Sequence, residues 1–155
     1  MKDNKDKLEN EYKDNKKREI EFRIQYRDKT WYYGMPITKI KNGTVGFNSF
    51  DNGYYDLFAD ATTLGQFTGL CDKNGKKIYE GDIVKSHYGS IYIVKYLADW
   101  SSFSLKLVFL NTEGKLSRAT GRQHLYKNDC TRLEIVGNVW DNPELFGGSD
   151  EECDN

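Results

Sequence analysis

Proline and cysteine are scarce in this chain, at two and three among 155 residues. Cys71, Cys130 and Cys153 are odd in number, widely spaced and never arranged as CxxC. Only two histidines, His87 and His124, accompany them, which completes no zinc pattern. The expectation is no structural disulfide, no metal centre and a reducing compartment. No apolar run approaches the ~18 residues of a membrane span. The opening MKDNKDKLENEYKDNKKRE lacks the apolar stretch of a secretory signal. Together these point to a cytoplasmic protein with no membrane partner. The phosphate-loop, dinucleotide, zincin and nucleophile-elbow patterns are all missing, so no cofactor and no enzymatic activity are expected. Apolar residues are also few. Counted with Gly in place of Tyr they make about 39% of the chain, against a usual ~45–50%.

What the chain has instead is aromatic bulk: 11 Tyr, 8 Phe and 3 Trp. A net charge of −1 conceals an uneven layout. Asp150, Glu151, Glu152 and Asp154 crowd the C-terminus, and without them the remainder is +3. Residues 115–132 carry Lys115, Arg118, Arg122, Lys127 and Arg132 against the single acid Asp129. Such a stretch reads either as a solvated hairpin or as an attractor for phosphate or an acidic partner.

Residues 1–17 form a polar, low-complexity extension, frayed or helical, whose only apolar stripe is Leu8 and Tyr12. Acid-to-base pairs four apart, such as Glu9–Lys13, favour a helix slightly. From Glu19 the pattern changes. Ile20, Phe22, Ile24 and Tyr26 alternate with polar residues, the mark of a strand with one buried face. A turn at Arg27–Thr30 leads to Trp31, Tyr32 and Tyr33 and predicts a hairpin. Asn42–Gly43 and Asn52–Gly53 predict tight turns, and residues 59–63 a helical turn. Asn74–Gly75 between GQFTGLCD and KKIYEGDIVKS predicts a further hairpin. Strands are predicted over 91–96, 103–110 and 133–140, with reversals at 99–102 and 111–114. Many short strands separated by turns indicate a small barrel or paired sheets.

Three segments carry a resemblance. Phe67–Val84 (FTGLCDKNGKKIYEGDIV) resembles the central motif of the YopX family, small proteins of bacteriophages and prophages, mostly of Gram-positive hosts. Arg18–Arg23 (REIEFR) is similar to the family's opening strand, and Ile135–Leu145 (IVGNVWDNPEL) to its closing segment. The resemblance implies a mainly β fold: an SH3-like β-barrel over 76–146, preceded by a smaller β-rich region over 18–75. Residues 147–155 are left as an acidic disordered tail. The resemblance implies no catalytic residues, and it places the chain in the cytoplasm of a host bacterial cell.

Within the central motif, Glu80-Gly81-Asp82-Ile83-Val84 reads as a turn that starts a strand. Asp82 is placed to accept backbone N–H bonds, and Ile83 and Val84 to enter opposite faces. Glu80 and Asp82 as a metal or acid–base pair is the sharper alternative, but no third ligand stands nearby in sequence. Tyr88, Tyr92, Tyr96 and Trp100 recur at four-residue steps. On one long strand they would share a face, either as a core wall or as an exposed binding ladder. With Lys115, Arg118, Arg122, Lys127 and Arg132 they form the candidate binding surface. The expected function is a phage-encoded, non-enzymatic accessory protein that binds a host or phage protein during infection. The alternatives are a nucleic-acid-binding module using residues 115–132 and a self-assembling, homo-oligomeric structural protein. Behind these stands an anti-defence nucleotide sequestrant.

Overall fold

The computed structural model describes residues 2–14, 18–50, 55–110 and 116–143. The side chains of 2–3, 11–14, 55–56, 109–110 and 116–120 are outside the description. Helix α1 (Lys2–Asp14) occupies the polar extension, and its described side chains, Leu8 among them, are exposed. The rest is β structure. The strands are β1 (Phe22–Gln25), β2 (Trp31–Pro36), β3 (Thr44–Ser49), β4 (Tyr55–Asp60), β5 (Gly65–Cys71) and β6 (Lys77–Tyr79). They are followed by β7 (Asp82–Ser86), β8 (Ile91–Leu97), β9 (Ser102–Leu110), β10 (Leu116–His124) and β11 (Leu133–Asn138).

Two antiparallel sheets result. The first has six strands in the order β4-β3-β2-β1-β5-β6, the second five in the order β10-β9-β8-β7-β11. Among the described residues no pairing joins β10 to β11, so the second sheet is open. The change of sheet falls at Glu80–Gly81, shortly after the expected boundary at 76. The acidic tail and the turns at 52–53 and 111–114 lie outside the described residues.

Turn chemistry places the strands. Asn42 and Gly43 both adopt positive φ and close the β3 entry turn. In the β5–β6 hairpin, the Asp72 carboxylate accepts the N–H groups of Asn74 and Lys76 and, from across the fold, that of Ile135. Asp60 caps a 3-10 turn at Ala61–Thr63 by accepting from the Thr62 N–H. The last strand ends two residues before the expected 140. The Asn138 side-chain oxygen accepts from the Trp140 and Asp141 N–H groups and folds the chain away from the ladder.

Three apolar clusters hold the layers. Ile24, Val45, Phe47 and Ala59 fill one face of the first sheet. Ile78, Val84, Val94, Leu105, Cys130 and Leu133 form the core of the second. Ile83 and Val108, with Ile91, Ile93 and Val139, form a smaller cluster on that sheet's opposite face. Ile83 and Val84 thus part to opposite faces, as adjacent strand residues must.

Candidate functional site

The four-step aromatic series is not one ladder. β8 begins at Ile91 and ends at Leu97, so only Tyr92 and Tyr96 stand on it. Tyr92 packs against the second-sheet core. Tyr88 sits in the β7–β8 turn, 81% exposed, with its ring tilted against that of His87 at 3.6 Å. Trp100 lies beyond the other end of β8, in a 3-10 turn at Ala98–Trp100. The expected basic stretch is likewise dispersed. Arg122 is an exposed residue of β10, while Lys127 and Arg132 are exposed around the 3-10 turn at Lys127–Thr131. Arg118 lies on β10 with its side chain outside the description, and Lys115 lies outside the described residues.

What the fold assembles instead is a groove between the two sheets. It consists of two adjoining pockets of about 350 and 290 Å³ that share Arg18, Tyr96, Ser101 and Phe103. The first sheet contributes Phe22 and Gln66, the second contributes Phe103 and His124, and Tyr126 joins them from the start of the 3-10 turn at Lys127–Thr131. Ring contacts order its rim. Tyr96 meets Phe103 edge to face at 5.4 Å, Trp100 lies on His124 at 4.4 Å, and His124 meets Tyr126 at 5.8 Å. The Ser102 hydroxyl and His124 Nδ1 are 3.1 Å apart, which fixes the imidazole plane. Tyr96, Trp100 and Tyr126 remain exposed despite these contacts.

Glu80 closes one end of the groove. Burial lifts its carboxyl above the usual range, against the opposing pull of the Tyr96 N–H and the Lys95 charge. Arg18 stands in both pockets and supplies the opposite charge. The groove therefore offers rings along its length, a cation and a reluctant anion. Among the described residues no cluster of three or more His, Cys, Asp or Glu side chains is placed to hold a metal. Glu80 and Asp82 do not act as a pair, because Asp82 is committed elsewhere.

That commitment is the feature the sequence patterning misses. Arg23 falls on the polar side of the β1 alternation, yet it is only 6% exposed. Its guanidinium meets the Asp82 carboxylate at 2.6 Å and donates to the Glu80 carbonyl at 3.3 Å. Three rings surround it: Trp31 at 4.7 Å, Tyr79 at 4.9 Å and Trp140 at 5.9 Å. Asp82 also accepts the Tyr79 N–H at 2.8 Å, and burial lifts its carboxyl while Arg23 pulls it back. Beside this junction Asp141 accepts from Trp31 Nε1, Gln25 Nε2 and Asn138 Nδ2. Burial alone would raise its carboxyl, but those three donors hold it below the usual range. Tyr79 donates to Glu21, which raises the phenol further beyond what burial does. Lys77 pairs with both Glu19 and Glu21.

A family model described as YopX protein matches residues 2–147. The chain belongs to the YopX family. A solved structure described as protein EF1440 from Enterococcus faecalis is similar to it in fold. The two share 19% sequence identity and a TM-score of 0.53, over 83% of this chain and 99% of the other. No curated protein matches the chain. The segments that resemble YopX motifs, at 18–23, 67–84 and 135–145, supply Arg23, Tyr79, Asp82 and Trp140 to a single buried junction. In this YopX-family fold those segments join the sheets, and the groove opens beside the join.

Proposed function

We propose that this YopX-family chain is a phage-encoded, non-enzymatic binding protein. It holds an extended segment of a host or phage protein in the inter-sheet groove. The observation that carries this reading is the pair of exposed rings, Tyr96 and Tyr126, lining a groove with Arg18 and Glu80 beside it. Rings of this kind receive apolar, aromatic or proline side chains, and the two charges fix the direction of the bound chain. The finer fold reading belongs with it: the second sheet is an SH3-like barrel that is left open between β10 and β11 among the described residues. Its support is the meander β7-β8-β9-β10, the 3-10 turn at Lys127–Thr131, and the return of β11 to β7. The phage origin and the cytoplasm of the infected cell rest on the family resemblance.

The test compares the full chain with a Tyr96→Ala/Tyr126→Ala variant. Both are used to capture protein from infected-cell lysate, and a synthetic segment of the captured protein is titrated by calorimetry. The expected result is a short segment that binds the wild type and loses at least ten-fold in affinity with the variant. Equal capture by the two proteins, or turnover of a substrate by the isolated chain, would overturn the reading.

A further inference from the structure

The face of the second sheet opposite its main core carries a row of cations that the groove reading leaves unused. The register places Ile93, Lys106 and Arg122 side by side across β8, β9 and β10. The next row on the same face holds Lys95, Ser104 and His124. Residues directly opposite in an antiparallel sheet stand ~5 Å apart and diagonal ones ~7–8 Å, so the three cations form one compact patch. Lys106 and Arg122 face each other directly, a like-charge pairing that destabilises a sheet. Neither they nor Lys95 makes an ion pair with a described residue. Glu80 lies close enough to Lys95 to feel its charge, yet forms no ion pair with it. At the edge of the patch the Trp100 ring rests on His124 and remains 38% exposed.

We propose that this face binds single-stranded nucleic acid. Lys95, Lys106 and Arg122 contact successive phosphates, and Trp100 stacks an unpaired base. Long, flexible side chains at these separations reach neighbouring phosphates of one strand. The flat ring favours a strand whose bases are free to leave the stack, which a duplex does not offer. An acidic protein segment would satisfy the cations but has no use for the ring pair. The cations of this face are independent of the groove reading, because Lys95, Lys106 and Arg122 do not line the groove.

The probe is a fluorescent oligothymidylate of about 12 nucleotides, titrated by anisotropy at several salt concentrations with the full chain. Three phosphate contacts predict a log–log salt slope of about −2. Lys106→Gln/Arg122→Gln should reduce it to about −0.7. Trp100→Ala should leave the slope in place and weaken binding about 5- to 150-fold at every salt concentration. Lys95→Gln lies outside the facing pair and serves as the second charge variant, with an expected fall in slope of about 0.7. Absence of wild-type binding at low salt overturns the proposal, and so does an unchanged slope in both charge variants. Displacement of the probe by an equal concentration of polyglutamate, with no effect of Trp100→Ala, also overturns it and assigns the face to an acidic protein partner. Loss of oligonucleotide binding in the two charge variants with groove binding intact separates this inference from the one before it.

Discussion

Asp82→Asn removes the counter-ion of a buried guanidinium while leaving the side-chain volume and one oxygen in place. That oxygen can still accept the Tyr79 N–H, so the turn before β7 keeps its hydrogen bond. The Arg23 guanidinium has no route to solvent, since its side chain is 7% exposed and Asp82 is 2% exposed. The three rings and the Glu80 carbonyl remain around it, but none carries a full negative charge. Removing one partner from a buried pair costs about 3–5 kcal/mol. For a chain of this length that lowers Tm by roughly 6–20 °C. Urea unfolding followed by tryptophan fluorescence reads the loss where it occurs, because Trp31 and Trp140 both pack on the guanidinium. Arg23→Met/Asp82→Asn should recover much of the loss, since replacing both charges of a buried pair is often close to neutral. By contrast, Lys73→Ala breaks a pair whose side chains are 46% and 44% exposed and should cost less than about 1 kcal/mol. A cost below about 1 kcal/mol for Asp82→Asn would refute the buried-charge argument, as would simple addition of the Arg23→Met and Asp82→Asn effects.

Gly81→Ala should be among the most damaging single changes. Gly81 has φ +88, and a Cβ there would lie 2.1 Å from Cζ3 of Trp140. Backbone strain and the displaced ring together cost about 2–5 kcal/mol, read by urea unfolding and by a change in near-ultraviolet circular dichroism. Glu80→Gln should stabilise the fold near neutral pH. The folded-state pKa of Glu80 is raised, so between the unfolded and folded values the native chain holds the extra proton and stability falls as pH rises. The gain from Glu80→Gln should therefore be full above the folded pKa and vanish below about pH 4, and a pH-independent gain would refute the assignment. Asp141→Asn works in the opposite sense. The depressed pKa of Asp141 contributes stability above the ordinary carboxylate range that is lost as pH falls through the folded value. The difference between wild type and Asp141→Asn should therefore be widest above about pH 5 and close in acid. A difference that widened in acid would contradict the three donors assigned to this carboxylate.

Local chemistry made much of the fold legible. Alternation located β1, Asn-Gly located the β5–β6 turn, and the two faces of β7 followed from adjacency alone. The candidate site was legible only in pieces, and the reason is geometric. A four-step aromatic series shares a face only if one strand runs through all of it. Here Gly89 at φ +89 and Ser101 at φ 49 turn the chain on either side of β8, so Tyr88 and Trp100 leave the strand. The groove draws on β1, β5, β8, β9, β10 and the start of the last 3-10 turn, segments whose proximity depends on pairing partners far along the chain. Arg23 was hidden for a related reason. Period two distinguishes the two sides of a strand but not which of them meets a second sheet, and a charged residue on the polar side looks solvated. The clue lay in composition: this chain is short of aliphatic residues and rich in rings. A guanidinium can be buried against Trp31, Tyr79 and Trp140 because ring faces receive a cation where aliphatic side chains would only desolvate it. The aromatic surplus and the buried arginine are thus parts of one solution. A small chain with few Leu and Ile joins its two sheets through a charge that its rings and one carboxylate can hold, and other rings remain exposed along the groove.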